Sequence, residues 1–269
     1  MTRRYRDITY TAPLRSPLET QALFAEDPGD WRLIIFHGTP ANRYLYRRFI
    51  QTAPAGIDVV LPARPGFGRG HPEAVTDFDE QVAAIRPFLP ASCGGGAYGD
   101  KKIITLGVSY GGELALKAAL DFPEAVRGVV TVAALIDEPH DYALTLERLG
   151  RDERIEDYVP NRWKKVRDEV AGRRDQIGPL LDAVANLRAP VEVVHGDFDA
   201  IVPKSNAETL MTRLGDNARC EIIPGGTHYL ELQYPRRLHA AVQRAKERAT
   251  ESTPSENTPS SMRAADVAP

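Results

Sequence analysis

The chain is poor in the features that mark secreted, membrane or nucleic-acid-binding proteins. It has two cysteines among 269 residues, Cys93 and Cys220, in no metal-like spacing. That excludes a disulfide framework and matches two unpaired thiols in a reducing compartment. No stretch approaches the ~18 apolar residues of a membrane span. The opening "MTRRYRDITYTAP" has charge but no apolar run behind it, so no secretory signal is read and a cytoplasmic protein is expected. Neither sign of charge dominates: 34 Lys and Arg face 37 Asp and Glu, net −3, and the two signs are interspersed. No basic stripe or like-charge block is present, which argues against nucleic acid or a membrane surface as partner. The one basic cluster, "NRWKKVRDEVAGRRD" (161–175), is diluted by acids and reads as the wet face of a helix. There is no heptad pattern or obvious exposed apolar strand, so the oligomeric state is left open.

Short apolar, β-branched runs are present and alternate with longer amphipathic ones. Strands are expected at 32–38, 56–63, 102–109, 126–135, 190–197 and 218–225, most of them apolar on both faces, as in a parallel sheet covered on each side. Helices are expected at 42–52, 77–88, 110–121, 205–214 and 235–249. Two further runs, "RDITYTA" and "PLETQALFAE", can pair as an antiparallel edge. Strand and helix in repeated alternation imply right-handed crossovers and a three-layer α/β/α sandwich. The rhythm breaks once, between 138 and 188, where polar helical segments punctuated by prolines read as an inserted helical cap. The core is thus expected at 1–137 and 189–249. Residues 250–269, rich in Ser, Thr and Pro, read as a disordered tail.

Chemistry concentrates at "ITLGVSYGGELALKAAL" (104–120). Gly107-Val108-Ser109-Tyr110-Gly111 is a G-x-S-x-G pattern with a strand before it and a helix after it. Such a corner exposes the Ser109 hydroxyl at the carboxyl end of a strand, where open α/β sheets bind ligands, and at a helix amino terminus that favours negative charge. A serine needs a base to take its proton. His228, in "IPGGTHYLEL" beyond the last expected strand, is placed to be that base. A carboxylate must orient the imidazole. Asp197 and Asp199 in "VVHGDFDAIVP" are available, as are Asp137 and Glu138 beyond the preceding strand. Two N–H groups must hold an oxyanion. Tyr110 offers one, and Thr39 in "FHGTPANR" offers the other, since Pro40 has no N–H. His37 reads as an imidazole tying that turn together rather than as a second base. Tyr142, Leu146, Tyr158 and Trp163 in the cap are candidate pocket residues.

At "HGTP" (37–40), "RPGFGRG" (64–70), "GVSYGG" (107–112), "GDFDAIVP" (196–203) and "GGTHYLE" (225–231) the chain resembles the α/β-hydrolase superfamily, in particular lipase- and esterase-like members with a short helical cap. The resemblance runs from about Arg32 to Ala249. It implies a triad of Ser109, Asp199 and His228, choosing Asp199 over Asp197 by its place in the "G-x-x-D" segment. It also implies a metal- and cofactor-free acyl-enzyme mechanism on a small-molecule ester or lactone. The chain departs from the family pattern at Ala63, where an aspartate is usual ahead of "RPGFG", which bears on the rigidity of that loop. It departs again at Ala41 and Asn42, where glycine and serine often follow "HGTP". Ser109 argues against the epoxide hydrolases and haloalkane dehalogenases, which use an aspartate nucleophile. Thioester, amide or C–C hydrolysis, acyl transfer and cofactor-free perhydrolysis use the same triad, and a non-catalytic ligand-binding protein on this fold is the reading from a different class.

Overall fold

The computed structural model describes residues 3–40, 43–71, 73–136 and 159–251. Eight strands form one sheet: β1 (Arg6–Ala12), β2 (Leu18–Ala25), β3 (Trp31–Phe36), β4 (Ile57–Pro62), β5 (Lys102–Val108), β6 (Val126–Val132), β7 (Val191–Gly196) and β8 (Ala218–Ile223). Their order across the sheet is β1-β2-β4-β3-β5-β6-β7-β8. β1 and β2 form the expected antiparallel hairpin, β2 pairs antiparallel with β4, and every later pairing is parallel. β3, β4 and β7 are buried along their whole length. This is what strands apolar on both faces require, because neither face can be left to water.

The helices are α1 (Arg47–Gln51), α2 (Phe78–Ala83), α3 (Tyr110–Asp121), α4 (Asn161–Gly172), α5 (Arg174–Val184), α6 (Ser205–Leu214), α7 (Leu230–Gln233) and α8 (Pro235–Glu251). Two apolar clusters lie on opposite faces of the sheet. One joins α2, α3, α5 and α6 through Val82, Leu114, Ile177 and Leu210. The other joins α1, α7 and α8 through Phe49, Leu230 and Val242. The sandwich therefore has three layers, as the alternating pattern implies. None of the described helices is long and apolar enough to cross a membrane.

Several boundaries differ from the sequence-based ones. The helix expected at 77–88 is two pieces, α2 capped by the Asp77 carboxylate on the Asp79 and Glu80 N–H groups, and a 3₁₀ turn at Arg86–Phe88. Pro87 has no N–H to continue the ladder. The strand expected to reach Leu135 stops at Val132, because Ala133 takes φ 45° and turns the chain. α8 runs to Glu251, two residues into the expected tail. Residues 137–158 and 252–269, and with them Asp137, Glu138, Tyr142, Leu146 and Tyr158, lie outside the described residues.

The polar stretch 161–175 is corrected. It is helical, but its inner face is not wet: Glu169 and Arg173 are completely buried. Glu169 meets Arg64 at 2.5 Å and Arg173 meets Glu113 of α3 at 2.6 Å. Charge alternation along a helix does not distinguish solvated residues from residues paired with distant partners, and these partners are far away in the chain.

Candidate active site

The sheet reverses direction of growth at β3. β4 is added on one side of β3 and β5 on the other, which leaves a crevice beyond the carboxyl ends of β3 and β5. Phe36 pairs with Gly107 across that boundary. The residues that follow, 37–40 on one side and 108–110 on the other, are thereby set face to face.

Ser109 sits at this corner with φ 54° and ψ −125°. A non-glycine residue held there costs of order 1–3 kcal/mol and persists only where its surroundings over-determine it. The surroundings do so by close approach. A β-carbon on Gly107 would stand 2.0 Å from the Gly111 carbonyl oxygen, and one on Gly111 would stand 2.1 Å from that of Phe36. Backbone lies against backbone on both sides of the serine, and no side chain fits. The Ser109 amide donates to Val132 O at 2.9 Å, and its carbonyl accepts from Gly112 and Leu135. The hydroxyl is left out of this scaffold: among the described residues it makes no hydrogen bond. The Tyr110 N–H, first in α3, likewise donates to no acceptor among them.

The facing turn is built around His37. Its Nδ1–H donates to Gly38 O at 2.8 Å, and its Nε2 accepts from the Arg64 N–H at 3.2 Å. Both ring nitrogens are committed, so one neutral tautomer is fixed. Burial, and then the nearby Arg64 guanidinium, push His37 down to about 3. It is a tie within the turn, as its place in "HGTP" implies. Arg64 reinforces the tie, donating from Nε to His37 O at 2.8 Å and from its terminal nitrogen to Gly38 O at 3.3 Å. With the Gly38 carbonyl drawn to this side, planarity of the trans peptide turns the Thr39 N–H to the opposite side. The space for a Gly38 β-carbon is 3.0 Å from Ser109 Cβ and 3.7 Å from its Oγ. This turn therefore packs directly on the serine. The Thr39 N–H has no acceptor among the described residues, and the Thr39–Pro40 bond is cis.

The loops after β7 and β8 are fastened together. Phe198 N–H donates to Gly226 O at 2.9 Å and Gly225 N–H to the Asp197 carboxylate at 2.6 Å. Asp197 is thus occupied in holding the loop. Asp199 is turned inward: one carboxylate oxygen accepts from the Ile201 and Val202 amides, each at 2.9 Å, and the other meets His228 Nδ1 at 2.8 Å. Burial alone would raise the Asp199 carboxyl, but the His228 hydrogen bond and the two backbone donors outweigh it and hold it below the ordinary carboxylate range. His228 is buried at the rim. Its ring and the Ser109 hydroxyl are not joined by a hydrogen bond in this conformation; such links are often long before substrate tightens them.

Three neighbours have no place in a reading of the sequence alone. His195 on β7 is fully buried, with its Nε2 3.7 Å from the Asp199 carboxylate and 3.0 Å from Val202 O. A histidine in a buried strand, immediately before the "GDFD" turn, is the signal that could have found it. Arg64 lies in the "RPGFG" motif, but its partner Glu169 is 105 residues away, and no local pattern links the two. His71 fastens the "RPGFG" loop, in which Ala63 stands where an aspartate is usual. Its Nδ1 accepts from Gly66 and Gly68 N–H, both at 3.1 Å, and its Nε2–H donates to Glu19 O at 3.1 Å. The "RPGFG" loop is thereby stiffened from its far end. Trp163, the one candidate cap residue described, is half exposed on α4. Among the described residues no group of three or more His, Cys, Asp or Glu could hold a metal ion.

Comparisons with known proteins bear on the fold that carries this site. The family model described as the alpha/beta hydrolase fold matches residues 32–153. A pimeloyl-[acyl-carrier protein] methyl ester esterase of Aromatoleum aromaticum is 26% identical over 225 residues, covering 68% of this chain and 86% of that protein. Among solved structures, the peroxisomal alpha-beta-hydrolase Lpx1 of Saccharomyces cerevisiae superposes with a TM-score of 0.71 at 13% identity, over 96% of this chain and 93% of that one. A thermophilic esterase of Thermogutta terrifontis superposes with a TM-score of 0.63 at 19% identity, over 91% and 99%.

Proposed function

We propose that the chain, matched over residues 32–153 by the alpha/beta hydrolase fold model, is a carboxylic ester hydrolase of the α/β-hydrolase superfamily working through an acyl-enzyme on Ser109. The observation that carries this reading is the serine itself, held at φ 54° between backbone segments that admit only glycine. The strain has no structural return and leaves a hydroxyl free over the crevice.

In this mechanism His228 Nε2 takes the Ser109 proton as Oγ attacks the ester carbonyl. Asp199, ionised and bonded to Nδ1–H, keeps Nε2 as the acceptor and stabilises the imidazolium. The Thr39 and Tyr110 N–H groups hold the tetrahedral oxyanion. The imidazolium then gives its proton to the leaving alkoxide, which departs as the alcohol. Water, deprotonated by the same nitrogen, attacks the acyl carbon and releases the acid, and the proton returns to Ser109. The substrate is a small ester or lactone, consistent with esterase relatives. The helices α4 and α5 are the described part of the expected cap that would select it.

Ser109→Ala tests the reading. The variant is expected to lose turnover of p-nitrophenyl butyrate and labelling by a fluorophosphonate probe, with its melting temperature little changed, since alanine keeps the β-carbon and the same strained backbone. Retained hydrolysis would refute the mechanism. Tight stoichiometric binding of a small molecule, without labelling of the unmodified chain, would instead support a receptor on this fold.

A further inference from the structure

A cavity of about 360 Å³ lies between the turn at 43–44, the "RPGFG" loop and the first turn of α4. Its lining contains Arg43, Arg69, Arg162 and Lys165, together with Tyr44 and Phe67, and among the described residues includes no acidic side chain. His37 lines it as well, whereas Ser109 and His228 do not.

The partners of these cations orient them and leave most of their charge in place. Lys165 Nζ donates to the Gly66 and His71 carbonyls at 2.7 and 2.6 Å. Arg162 donates to the carbonyl of Pro40. Arg43 pairs with Asp7 at 2.9 Å, the one carboxylate among these partners, while its buried Nε has no acceptor among the described residues. The Arg69 side chain has none either; only its backbone N–H is bonded, to Gln21. His37, neutral by burial, adds no charge. Among the described residues four cations thus face one carboxylate, and the Arg43 Nε is a buried donor with no acceptor among them. Guanidinium groups in such numbers match the planar or tetrahedral oxygens of a carboxylate or phosphate.

The cavity is also tied to the proposed chemistry. His37 is in its wall, and the next residue, Gly38, packs on Ser109. Arg162 holds Pro40, next to the Thr39 N–H. The residue in the cavity wall and the residue packed on Ser109 are thus consecutive in one turn, with Cα atoms ~3.8 Å apart.

We propose that this cavity is an anion-binding subsite that takes the acidic group of the substrate, an ester bearing a carboxylate or phosphate a few bonds from its scissile carbonyl. The assignment deepens the esterase reading and rests on it for the word substrate. The cavity volume falls within the range of small-molecule sites, and Tyr44 and Phe67 supply apolar wall for the connecting carbons.

The test uses the full chain with Ser109→Ala, so that binding is read without turnover, titrated calorimetrically at low salt with monomethyl adipate, dimethyl adipate and inorganic phosphate. The half-ester is expected to bind at least tenfold tighter than the neutral diester, and this preference is expected to vanish when R69E and R162E are added. Both arginines are exposed, so the fold should be kept; falling half-ester affinity between 20 and 500 mM NaCl gives the same reading with no further substitution. Half-ester and diester binding alike overturns the proposal, as does a preference untouched by R69E/R162E. Phosphate binding that responds to R69E/R162E, while the two esters bind equally, assigns the cavity to a free anion and overturns its assignment to substrate. Because binding is measured without catalysis, failure of the serine mechanism would show separately, as turnover by the Ser109→Ala chain.

Discussion

Replacing Asp199 by asparagine puts the proposed triad to a quantitative test, because the structure dictates how the amide must lie. The Asp199 oxygen facing the Ile201 and Val202 amides accepts two N–H groups at 2.9 Å. An NH₂ in that place would set three donors against one another, so the asparagine oxygen is forced there and its NH₂ turns toward His228 Nδ1, 2.8 Å away. Nδ1 then has to accept. The ring proton moves to Nε2, and the nitrogen that should receive the Ser109 proton carries one already. A wrong tautomer of this kind costs ~10⁴ in kcat in serine proteases, equivalent to ~5.5 kcal/mol of barrier. The fold should suffer less, since the two backbone hydrogen bonds survive and one charged hydrogen bond becomes a neutral one, a loss of ~1–2 kcal/mol. The assay is kcat for p-nitrophenyl butyrate beside a urea unfolding curve. Asp197→Asn is the matched comparison, because that carboxylate serves only the Gly225 amide and its loss should change kcat by no more than a few-fold. A fall of less than tenfold in Asp199→Asn, or equal falls in the two variants, would refute the assignment.

Glu169→Ala leaves the Arg64 guanidinium buried without its carboxylate, which typically costs 3–5 kcal/mol. A urea titration should show that loss, whereas Arg6→Ala, breaking an exposed pair with Glu26, should stay within ~0.5 kcal/mol; equal effects would deny the buried pair its role. Acid should destabilise the protein through His37. Its folded value of about 3 lies below the ordinary ~6.5, so the stability is present above the unfolded value and is lost as pH falls toward the folded one. Between pH 6.5 and pH 4 the loss is ~3 kcal/mol. His37→Asn should flatten that part of the stability curve, and an unchanged slope would count against a neutral His37.

The sheet and the serine corner are legible because their signals are local. β5, the G-x-S-x-G glycines and α3 are contiguous, and each glycine is demanded by contacts within the same corner or with the end of β3. The β1–β2 hairpin is read from two alternating runs and a short turn. The choice between Asp197 and Asp199 is of another kind. Both are small acids two residues apart in one loop; the resemblance favours Asp199 by motif position, and the physical difference lies in the folded partners, Gly225 for one and His228 for the other. Glu169 and Arg173 are hidden for the same reason in stronger form. Glu169 lies in a helix whose composition is that of a solvated surface and Arg173 in the turn that ends it, and each is paired with a charge brought from a remote segment. The stiffness of the "RPGFG" loop is not legible at Ala63, because the loop is held by the His71 ring, whose acceptor takes the Gly66 and Gly68 N–H groups.

Arg64 joins what would otherwise be two separate parts of the molecule. Its guanidinium holds the carbonyls of His37 and Gly38, and with them the direction of the Thr39 N–H; it also lies over the Tyr110 ring, 4.8 Å from its centroid. Tyr110 supplies the second proposed oxyanion donor. On its other side Arg64 is fixed by Glu169 of α4, which also accepts from Gln81 at 2.7 Å. The same helix presents Arg162 and Lys165 to the cationic cavity. One buried ion pair therefore sets both the donors for the oxyanion and the wall that would hold an acidic substrate. A shift of α4 by a fraction of an ångström is felt at the Gly38 carbonyl, since a buried bidentate pair has little freedom to absorb it. Cap variants that repack α4 should consequently alter kcat together with KM, and a cap that changed KM alone would show that Arg64 does not transmit its position.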